Sequence, residues 1–399
     1  MRPAIFRTKV DDAGMKTRER VDELNLVRAF AIIGVIAVHA TSKAVDDVLD
    51  SSFYALYNFA NIFFKTGTTT FIFLSSFVLF YNYFDRPLDK RLVAGFYKKR
   101  LLYVLVPYVV FSAAYFLLQH VMYNPHRPLG DALESFALKL LTGKAYTHLY
   151  FVFVNVQFYL LFPLFLYILK KRPGLTRWLV PAGFAAQWAF LVANHLRLDV
   201  PNVGSWALMY FSHYFTGAFL GIHFDSIKQW LGGSGNRPGW RFAGSIAFAA
   251  AGWVAFGSGH AWILYEIRHE GQRFNYLWVE LLWNLHTIFA ALAFMLIAFA
   301  LWKRFRHSRP VRALDRLGAV SFGVYLLHPL VLFVYRLKPV TAPVWFHFWY
   351  AGGFVLALAL SWAAVALAFR ASPRVWVLFG KPSAVSGGRA LPGERAVSG

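Results

Sequence analysis

The chain has 399 residues, of which 58% are hydrophobic and only 15% are charged, whereas soluble domains carry about 25% charged residues. This composition excludes an ordinary soluble protein and predicts an all-α polytopic membrane protein. The net charge of +22 does not indicate nucleic acid, because cytosolic loops of membrane proteins collect Lys and Arg. The chain contains no cysteine, which excludes disulfides and thiolate chemistry.

The apolar residues fall into ten long blocks, each close to the length of about 20 residues that a helix needs to cross a bilayer. Two of them, 178–196 and 204–223, are interrupted by proline, glutamine, histidine or glycine. The predicted spans are 24–45, 57–84, 101–122, 148–169, 178–196, 204–223, 242–260, 276–301, 317–337 and 347–370.

The positive charge is distributed unevenly between the two sides of these spans. With the N-terminus inside, the inner segments hold 30 Lys and Arg residues and the outer segments hold 8. This asymmetry predicts about ten transmembrane helices with both termini in the cytosol. We expect a basic cytosolic tail over 1–23, a transmembrane domain over 24–370, and a disordered cytosolic tail over 371–399 that is rich in Gly, Pro and Ser.

The first predicted span carries two polar side chains, Arg28 and His39. An interval of eleven residues is three turns plus about 20°, so both lie on one face of a helix, about 16 Å apart along its axis. Arg28 could simply reach the interface, or it could clamp a phosphate-bearing donor. His39 could be a packing residue, but ionisable groups inside a membrane usually mark a functional site, and imidazole is a general base at neutral pH.

Further polar residues stand at or within three other spans. Lys98, Lys99 and Arg100 precede the span 101–122, where they are either ordinary inner-face charges or a binding site for phosphates. The span 148–169 contains His148 and Gln157, and the span 317–337 contains His328 before Pro329. Taken alone, each of these two histidines is slightly more typical of packing or of the membrane interface than of catalysis.

Two common sources of chemistry are not indicated. The sequence has no H-E-x-x-H motif, and the adjacent pair His269 and Glu270 lacks a second histidine, so we predict no metal site. It has no G-x-x-x-x-G-K-[ST] loop either, so ATP-driven transport by this chain is not predicted.

Five stretches, in this order, resemble the acyltransferase-3 family of bacterial integral-membrane O-acyltransferases, and in particular the branch that acts on exopolysaccharides, including the intercellular-adhesion polysaccharide. The sequence departs from the family pattern at Asn25, where an acidic residue is usual, at Tyr103, where a second arginine is usual, and at Ser76, where glycine is usual. The stretches are LNLVRAFAIIGVIAVH (24–39), FIFLSSF (71–77), FYKKRLLYVLVPY (96–108), HLYFVFVNVQFYLLFPL (148–164) and SFGVYLLHPL (321–330).

The resemblance implies transfer of an acyl group, acetyl or succinyl, from cytosolic acyl-CoA to a hydroxyl of a cell-surface or lipid-linked glycan. Acyl-CoA would be a co-substrate, with no permanently bound cofactor, and the protein would lie in the bacterial plasma membrane, where glycan synthases could be partners. The implied site residues are His39 and Arg28 for catalysis, Arg28, Lys98, Lys99 and Arg100 for the donor, and His148, Gln157 and His328 on the acceptor side.

Three questions stay open at this stage. His39 could be a general base, or it could carry the acyl group transiently. Because Asn25 replaces the usual acidic residue, a carboxylate partner for Arg28 must come from elsewhere, and Asp22 and Glu23 are the nearest. A polysaccharide exporter or flippase, or a non-catalytic subunit of a glycan synthase, would also suit a polytopic protein. Such proteins would neither bind nor consume acyl-CoA.

Overall fold

The computed structural model is almost entirely α-helical. Two short strands, Lys9–Val10 and Lys16–Thr17, pair in antiparallel fashion. The described residues are 9–10, 16–126, 128–232, 239–340 and 343–385. Their α-helices are α1 (Leu24–Asp47), α2 (Tyr54–Phe63), α3 (Gly67–Tyr83), α4 (Lys90–Arg100), α5 (Val106–Tyr123), α6 (Leu129–Thr142), α7 (Tyr150–Lys171), α8 (Leu179–Ala193), α9 (Phe211–Ile222), α10 (Phe224–Trp230), α11 (Trp240–Arg268), α12 (Tyr276–Phe305), α13 (Arg309–Ala319), α14 (Ser321–Tyr335), α15 (Pro343–Ala371) and α16 (Trp376–Phe379).

Within the described residues, seven helical segments are long and apolar enough to cross a membrane. Helices α1, α7, α11, α12 and α15 supply one each, and the pairs α2–α3 and α4–α5 supply the other two. An eighth arises if α13 and α14, which meet at 82°, form one bent span. The structure therefore supports a multi-pass membrane protein with seven or eight candidate spans.

The other two predicted spans, 178–196 and 204–223, contain short helices. Helix α8 has 15 residues and α9 has 12. At 1.5 Å per residue, both are shorter than the hydrocarbon core of about 30 Å. The crossing of the membrane by these two segments, and with it the count of ten spans, stays a prediction.

The polar and small residues that interrupt these two segments fasten α9 to its neighbours. The Gln187 side-chain oxygen in α8 accepts hydrogen bonds from the Ser212 hydroxyl and backbone N–H at 2.6 and 3.0 Å, which satisfies a free donor at the start of α9. A Cβ at Gly217 would lie 2.2 Å from the Phe73 carbonyl oxygen. Only glycine therefore lets the α9 backbone lie directly on α3.

Helix α1 is the centre of the bundle. It packs against α2, α3, α12, α13, α14 and α15, and Leu26, Ala29, Ile32 and Ile36 are completely buried along it. Such a helix must be apolar around most of its circumference, which explains why polar residues such as Arg28 stand out in its sequence.

The two predicted tails are partly packed on the bundle. The Arg18 guanidinium lies 2.6 Å from the Asp85 carboxylate, and the Tyr81 hydroxyl donates to the Glu19 carbonyl oxygen. At the other end, α16 packs against α5 and α14, where Phe379 contacts the ring of Phe111. The expected disorder after residue 370 therefore does not extend over 371–385, because aromatic residues anchor that segment. Residues 1–8, 11–15 and 386–399 lie outside the described part.

Candidate active site

A cavity of about 480 Å³ opens beside the first turns of α1 and extends between α3, α7 and the junction of α13 with α14. Its charged lining is cationic and consists of Arg28, Lys99, Arg100 and Lys381. No acidic residue is among the described residues that line it. The predicted donor residue Lys98 is exposed and does not line this cavity. We call this space the basic cavity, and its charge suits an anion.

The cavity wall at Arg28 is held by a chain of hydrogen bonds. The Arg28 guanidinium donates to the Asn25 side-chain oxygen at 2.8 Å. The Asn25 amide in turn donates to the buried Asp315 carboxylate at 2.7 Å. The expectation that Asp22 or Glu23 is the partner of Arg28 is therefore wrong. Arg28 donates to Asn25 instead, and Asp22 pairs with Arg20. Asn25 transmits the influence of a carboxylate that lies 290 residues away in sequence.

This chain of bonds depends on close contact between α1 and α13. A Cβ at Gly318 would lie only 1.7 Å from the Asn25 carbonyl oxygen. Glycine at this position therefore lets α13 approach α1 closely enough for Asp315 to reach Asn25.

Arg100 stands at the opposite wall, where a π-helical turn, Leu101–Leu105, joins α4 to α5. Pro107 follows this turn and has no N–H to donate back to the Tyr103 carbonyl, which favours the irregular winding. The Arg100 guanidinium lies over the ring of Tyr159, 4.9 Å from its centre, a cation–π geometry. Its Nε is buried and has no hydrogen-bond partner. The ring of Tyr159 therefore positions the guanidinium, and its Nε–H can still donate to a ligand.

Three predicted histidines meet deeper in the bundle. His39 comes from α1, His148 from the turn before α7, and His328 from α14. The centre of the His39 ring lies 5.2 Å from that of His328 and 6.3 Å from that of His148, and the latter two are 5.7 Å apart. Both ring nitrogens of His148 and Nε2 of His328 are buried without a hydrogen-bond partner. We call these residues the histidine cluster.

Tyr325 separates the basic cavity from the histidine cluster. Its ring lines the cavity and also contacts the rings of His148 and His328, at 5.1 and 6.0 Å between centres. Its hydroxyl donates to the His148 carbonyl oxygen. A group that enters beside Arg28 and passes along this wall would therefore arrive next to the imidazoles.

Tyr115 holds α14 in an altered form next to the cluster. The Tyr115 hydroxyl donates to the Leu326 carbonyl at 2.8 Å and accepts from the Leu330 N–H at 3.2 Å. These two backbone groups would bond each other in a regular helix, so the phenol is inserted into the helix ladder just beyond His328 and Pro329. The Tyr115 ring also meets the His148 ring edge-on, at 5.3 Å.

Arg336 fixes the other side of the cluster. Its guanidinium donates to the carbonyl oxygens of His39 and Ala40, at 2.6 and 3.1 Å. Sequence reasoning found no role for Arg336, Tyr115 or Asp315. Their partners are distant in sequence, and only the uncommon charge of Arg336 and Asp315 in or beside apolar segments marked them.

Gln157 lies elsewhere. Its amide donates to the Ser205 carbonyl, and its oxygen accepts from the Ala207 N–H, at 2.8 and 3.0 Å. It thus braces the chain segment before α9 and lines neither the basic cavity nor the histidine cluster. In the described part of the chain, no group of three or more His, Asp or Glu side chains is arranged to hold a metal ion.

Together, fold and site define a class of protein: a multi-pass membrane protein in which a cationic cavity leads towards buried imidazoles. A family model described as an acyltransferase domain, Acyl_transf_3, matches residues 21–366. The chain therefore belongs to the acyltransferase-3 family and is a membrane acyltransferase, which confirms the resemblance at the level of the family. No curated protein and no solved structure matches the chain.

Proposed function

We propose that this protein transfers an acyl group, acetyl or succinyl, from cytosolic acyl-CoA to a hydroxyl of a cell-surface or lipid-linked glycan. The observation that carries the proposal is the connection between two regions. Arg28, Lys99 and Arg100 face one cavity, and Tyr325 at its inner wall also contacts the histidine cluster. A donor with an anionic end and a reactive thioester end needs this arrangement.

The basic cavity would hold the phosphates of the donor. Arg28 and Arg100 are the stronger candidates, since a guanidinium can form two parallel hydrogen bonds to a phosphate whereas a lysine acts as a point charge. Lys99 and Lys381 would add to the positive field. The pantetheine arm would then extend along Phe71, Phe151 and Tyr325, which line the same cavity, and bring the thioester towards His39.

His39 would supply the chemistry in one of two ways. As a general base, its imidazole takes the proton of the acceptor hydroxyl, whose oxygen attacks the thioester carbon. The C–S bond then breaks, and the CoA thiolate receives the proton. Alternatively, the imidazole nitrogen attacks first and releases the thiolate. The acceptor hydroxyl then displaces the acyl group from the nitrogen, and its proton passes to the thiolate. The free ring nitrogens of His148 are placed to receive an acceptor hydroxyl.

We further place the protein in the bacterial plasma membrane with ten spans and both termini in the cytosol, and glycan synthases are its expected partners. Support for this topology comes from the excess of Lys and Arg, 30 against 8, in the segments assigned to the inside. Because the chain has no cysteine, single cysteines introduced in successive loops would report sidedness to a membrane-impermeant thiol reagent. Labelling of the 197–202 loop from the cytosolic side would contradict the ten-span topology.

The function is tested by the glycans of cells that carry His39→Ala or Arg28→Ala. Both variants should lose glycan acyl esters although the protein reaches its normal level in the membrane. The matched control is His126→Ala, because His126 is exposed and remote from the cluster in sequence. Normal glycan acylation in both variants would refute the assignment. An exporter or flippase would instead change the amount of surface glycan while leaving acyl-CoA unconsumed.

A further inference from the structure

A second cavity, of about 580 Å³, lies at the same end of α1 but on the other side of the bundle. It is enclosed by α9 and α10, the start of α11 and one face of α12. We call it the apolar cleft. The acyltransferase mechanism makes no use of it, because neither the donor residues nor the histidine cluster contribute to its lining. Residues 233–238 of the loop between α10 and α11 lie outside the described part of the chain.

One face of α12 gives the cleft its character. The residues that line it from this helix follow the spacing of a single helical stripe. The inner part of the stripe is apolar, and its outer end is basic. Its members on α12 are Leu292, Met295, Leu296, Phe299, Trp302 and Lys303, and Arg306 continues the stripe at the C-cap of the helix. From Leu292 to Trp302, the stripe is about 15 Å long at 1.5 Å per residue.

The mouth of the cleft carries a net positive charge. Lys303 and Arg306 are exposed there, three residues apart and so on one helix face. Lys228 and Glu23 also line the cleft, and they interact with each other. Burial raises the pKa of the Glu23 carboxyl, although a backbone hydrogen bond and the Lys228 ammonium partly offset this rise. In the described part of the chain, neither Lys303 nor Arg306 forms an ion pair, and the Arg306 Nε donates to the uncharged acceptor nitrogen of the His307 ring, so both cations can still attract an anion.

Tryptophans mark this mouth as a membrane interface. Trp230 lines the cleft and is 58% exposed, while Trp240, at the first turn of α11, is 80% exposed. The Arg241 guanidinium lies over both rings, at 5.6 and 5.4 Å from their centres. Tryptophan and arginine collect where the headgroups of a bilayer meet its hydrocarbon. The basic mouth thus lies at headgroup level, and the apolar stripe leads into the hydrocarbon.

We propose that the apolar cleft binds one anionic phospholipid, with its phosphate at Lys303 and Arg306 and an acyl chain along the apolar stripe of α12. Basic pockets between membrane helices bind anionic headgroups in this way. A free phosphate would use only the mouth and would leave about 15 Å of apolar wall without a ligand. A zwitterionic lipid would fill the wall, but the cation of its headgroup would oppose the attraction between its phosphate and these two side chains.

The proposal is tested with the full-length protein, purified in a nonionic detergent and mixed with phosphatidylglycerol, phosphatidylcholine or inorganic phosphate. Native mass spectrometry counts the molecules retained. Phosphatidylglycerol should be retained at one molecule per chain, at least tenfold more tightly than phosphatidylcholine, and inorganic phosphate should not be retained. Equal retention of the two lipids, or retention of inorganic phosphate, would overturn the proposal.

Two variants locate the lipid. The double variant Lys303→Ala with Arg306→Ala should retain phosphatidylglycerol about tenfold less tightly, whereas the matched control Arg304→Ala, one position along α12 and outside the cleft lining, should retain it normally. Leu296→Trp fills the apolar part and should reduce retention without any change in charge, so the result does not depend on one variant's folding. Unchanged retention in both cleft variants would overturn the assignment, as would displacement of phosphatidylglycerol by acyl-CoA in the unmodified protein.

Discussion

The basic cavity and the apolar cleft begin at the same end of the bundle, and both have cations at the mouth, yet they differ at their inner ends. The basic cavity ends at Tyr325, whose ring contacts the histidine cluster, and buried ring nitrogens of that cluster have no hydrogen-bond partner. The apolar cleft ends among Leu292, Met295 and Leu220. The cations of the two mouths could attract similar anions. The inner groups therefore distinguish the two spaces, since an imidazole can move a proton or carry an acyl group, whereas leucine and methionine side chains can do neither.

The largest effect is expected from the inner end of the basic cavity. His39→Ala should lower kcat for acyl transfer by at least about 100-fold, which is the usual contribution of general acid–base catalysis. The other two imidazoles of the cluster come from elements other than α1, so neither can take the place of His39 on the face that carries Arg28. Binding of acyl-CoA should be retained.

Stopped assays with radiolabelled acyl-CoA and purified protein in lipid nanodiscs measure this change, and His126→Ala serves as the reference variant. A His39→Ala protein with an unaltered kcat would show that the cluster is a packing feature. The two spaces would then no longer differ in chemistry.

The next effect concerns the mouth of the basic cavity. Arg100→Lys should raise KM for acyl-CoA about tenfold with kcat nearly unchanged, since the bidentate contact to phosphate and the stacking on Tyr159 are both lost. Lys98→Ala should leave KM within about twofold, because a single exposed charge is screened by water and salt, and Lys98 does not line the cavity.

Steady-state kinetics at two ionic strengths separate these variants. If Lys98→Ala raised KM as much as Arg100→Lys, the donor would lie outside the basic cavity and across the surface of α4.

A smaller effect is expected at Tyr115, which shapes the cluster without reaching the donor. Tyr115→Phe removes the hydroxyl that joins Leu326 and Leu330, and each lost hydrogen bond costs about 1 kcal/mol. The protein should unfold at a lower temperature, and kcat should fall several-fold while KM for acyl-CoA stays constant. Tyr97→Phe is the control, because the Tyr97 hydroxyl bonds an exposed carbonyl far from the cluster.

Thermal unfolding in detergent and the same kinetic assay provide the measurements. A drop in stability with no change in kcat would assign to Tyr115 a role in folding alone.

The smallest effect is expected from a change of charge at the mouth of the apolar cleft. Glu23→Gln removes the one acidic side chain among the described residues that line the cleft. Phosphatidylglycerol should therefore bind about threefold more tightly, as expected when one charge repulsion of the order of 0.6 kcal/mol is removed. Acyl-CoA kinetics should not respond. Weaker lipid binding in this variant, measured by titration in native mass spectra, would place the headgroup away from Lys303 and Arg306.

Much of the fold could be predicted because a membrane helix is recognised from the apolar residues of its own segment. Apolar length identified the segments that contain the seven or eight candidate spans, and the spacing of Arg28 and His39 placed both on one face of α1. For 178–196 and 204–223 the crossing of the membrane stays a prediction. Their apolar composition suits a span, but Gln187 and Gly217 are used in packing α9 against α8 and α3.

The site shows the same division between local and distant information. Motifs in the sequence named His39, His148 and His328 separately, and the family match of residues 21–366 agrees with the resemblance on which those motifs rest. Lys98 is next to Lys99 and Arg100 in sequence, yet it is exposed and does not line the cavity that they line. Gln157 lay within a family-like stretch but braces the Ser205 segment instead.

By itself, the sequence determined that this chain is a helical membrane protein, that α1 carries a cation and an imidazole on one face, and that the family is one of membrane acyltransferases. Tertiary structure alone decided that three histidines from distant segments meet, that Asp315 reaches Arg28 through Asn25, and that Tyr325 stands between cavity and cluster. The physical reason is the separation in sequence between the residues that interact. Helix formation and apolar length depend on residues a few positions apart, whereas the site depends on how closely helices pack, and that is set by single contacts such as Gly318 against Asn25.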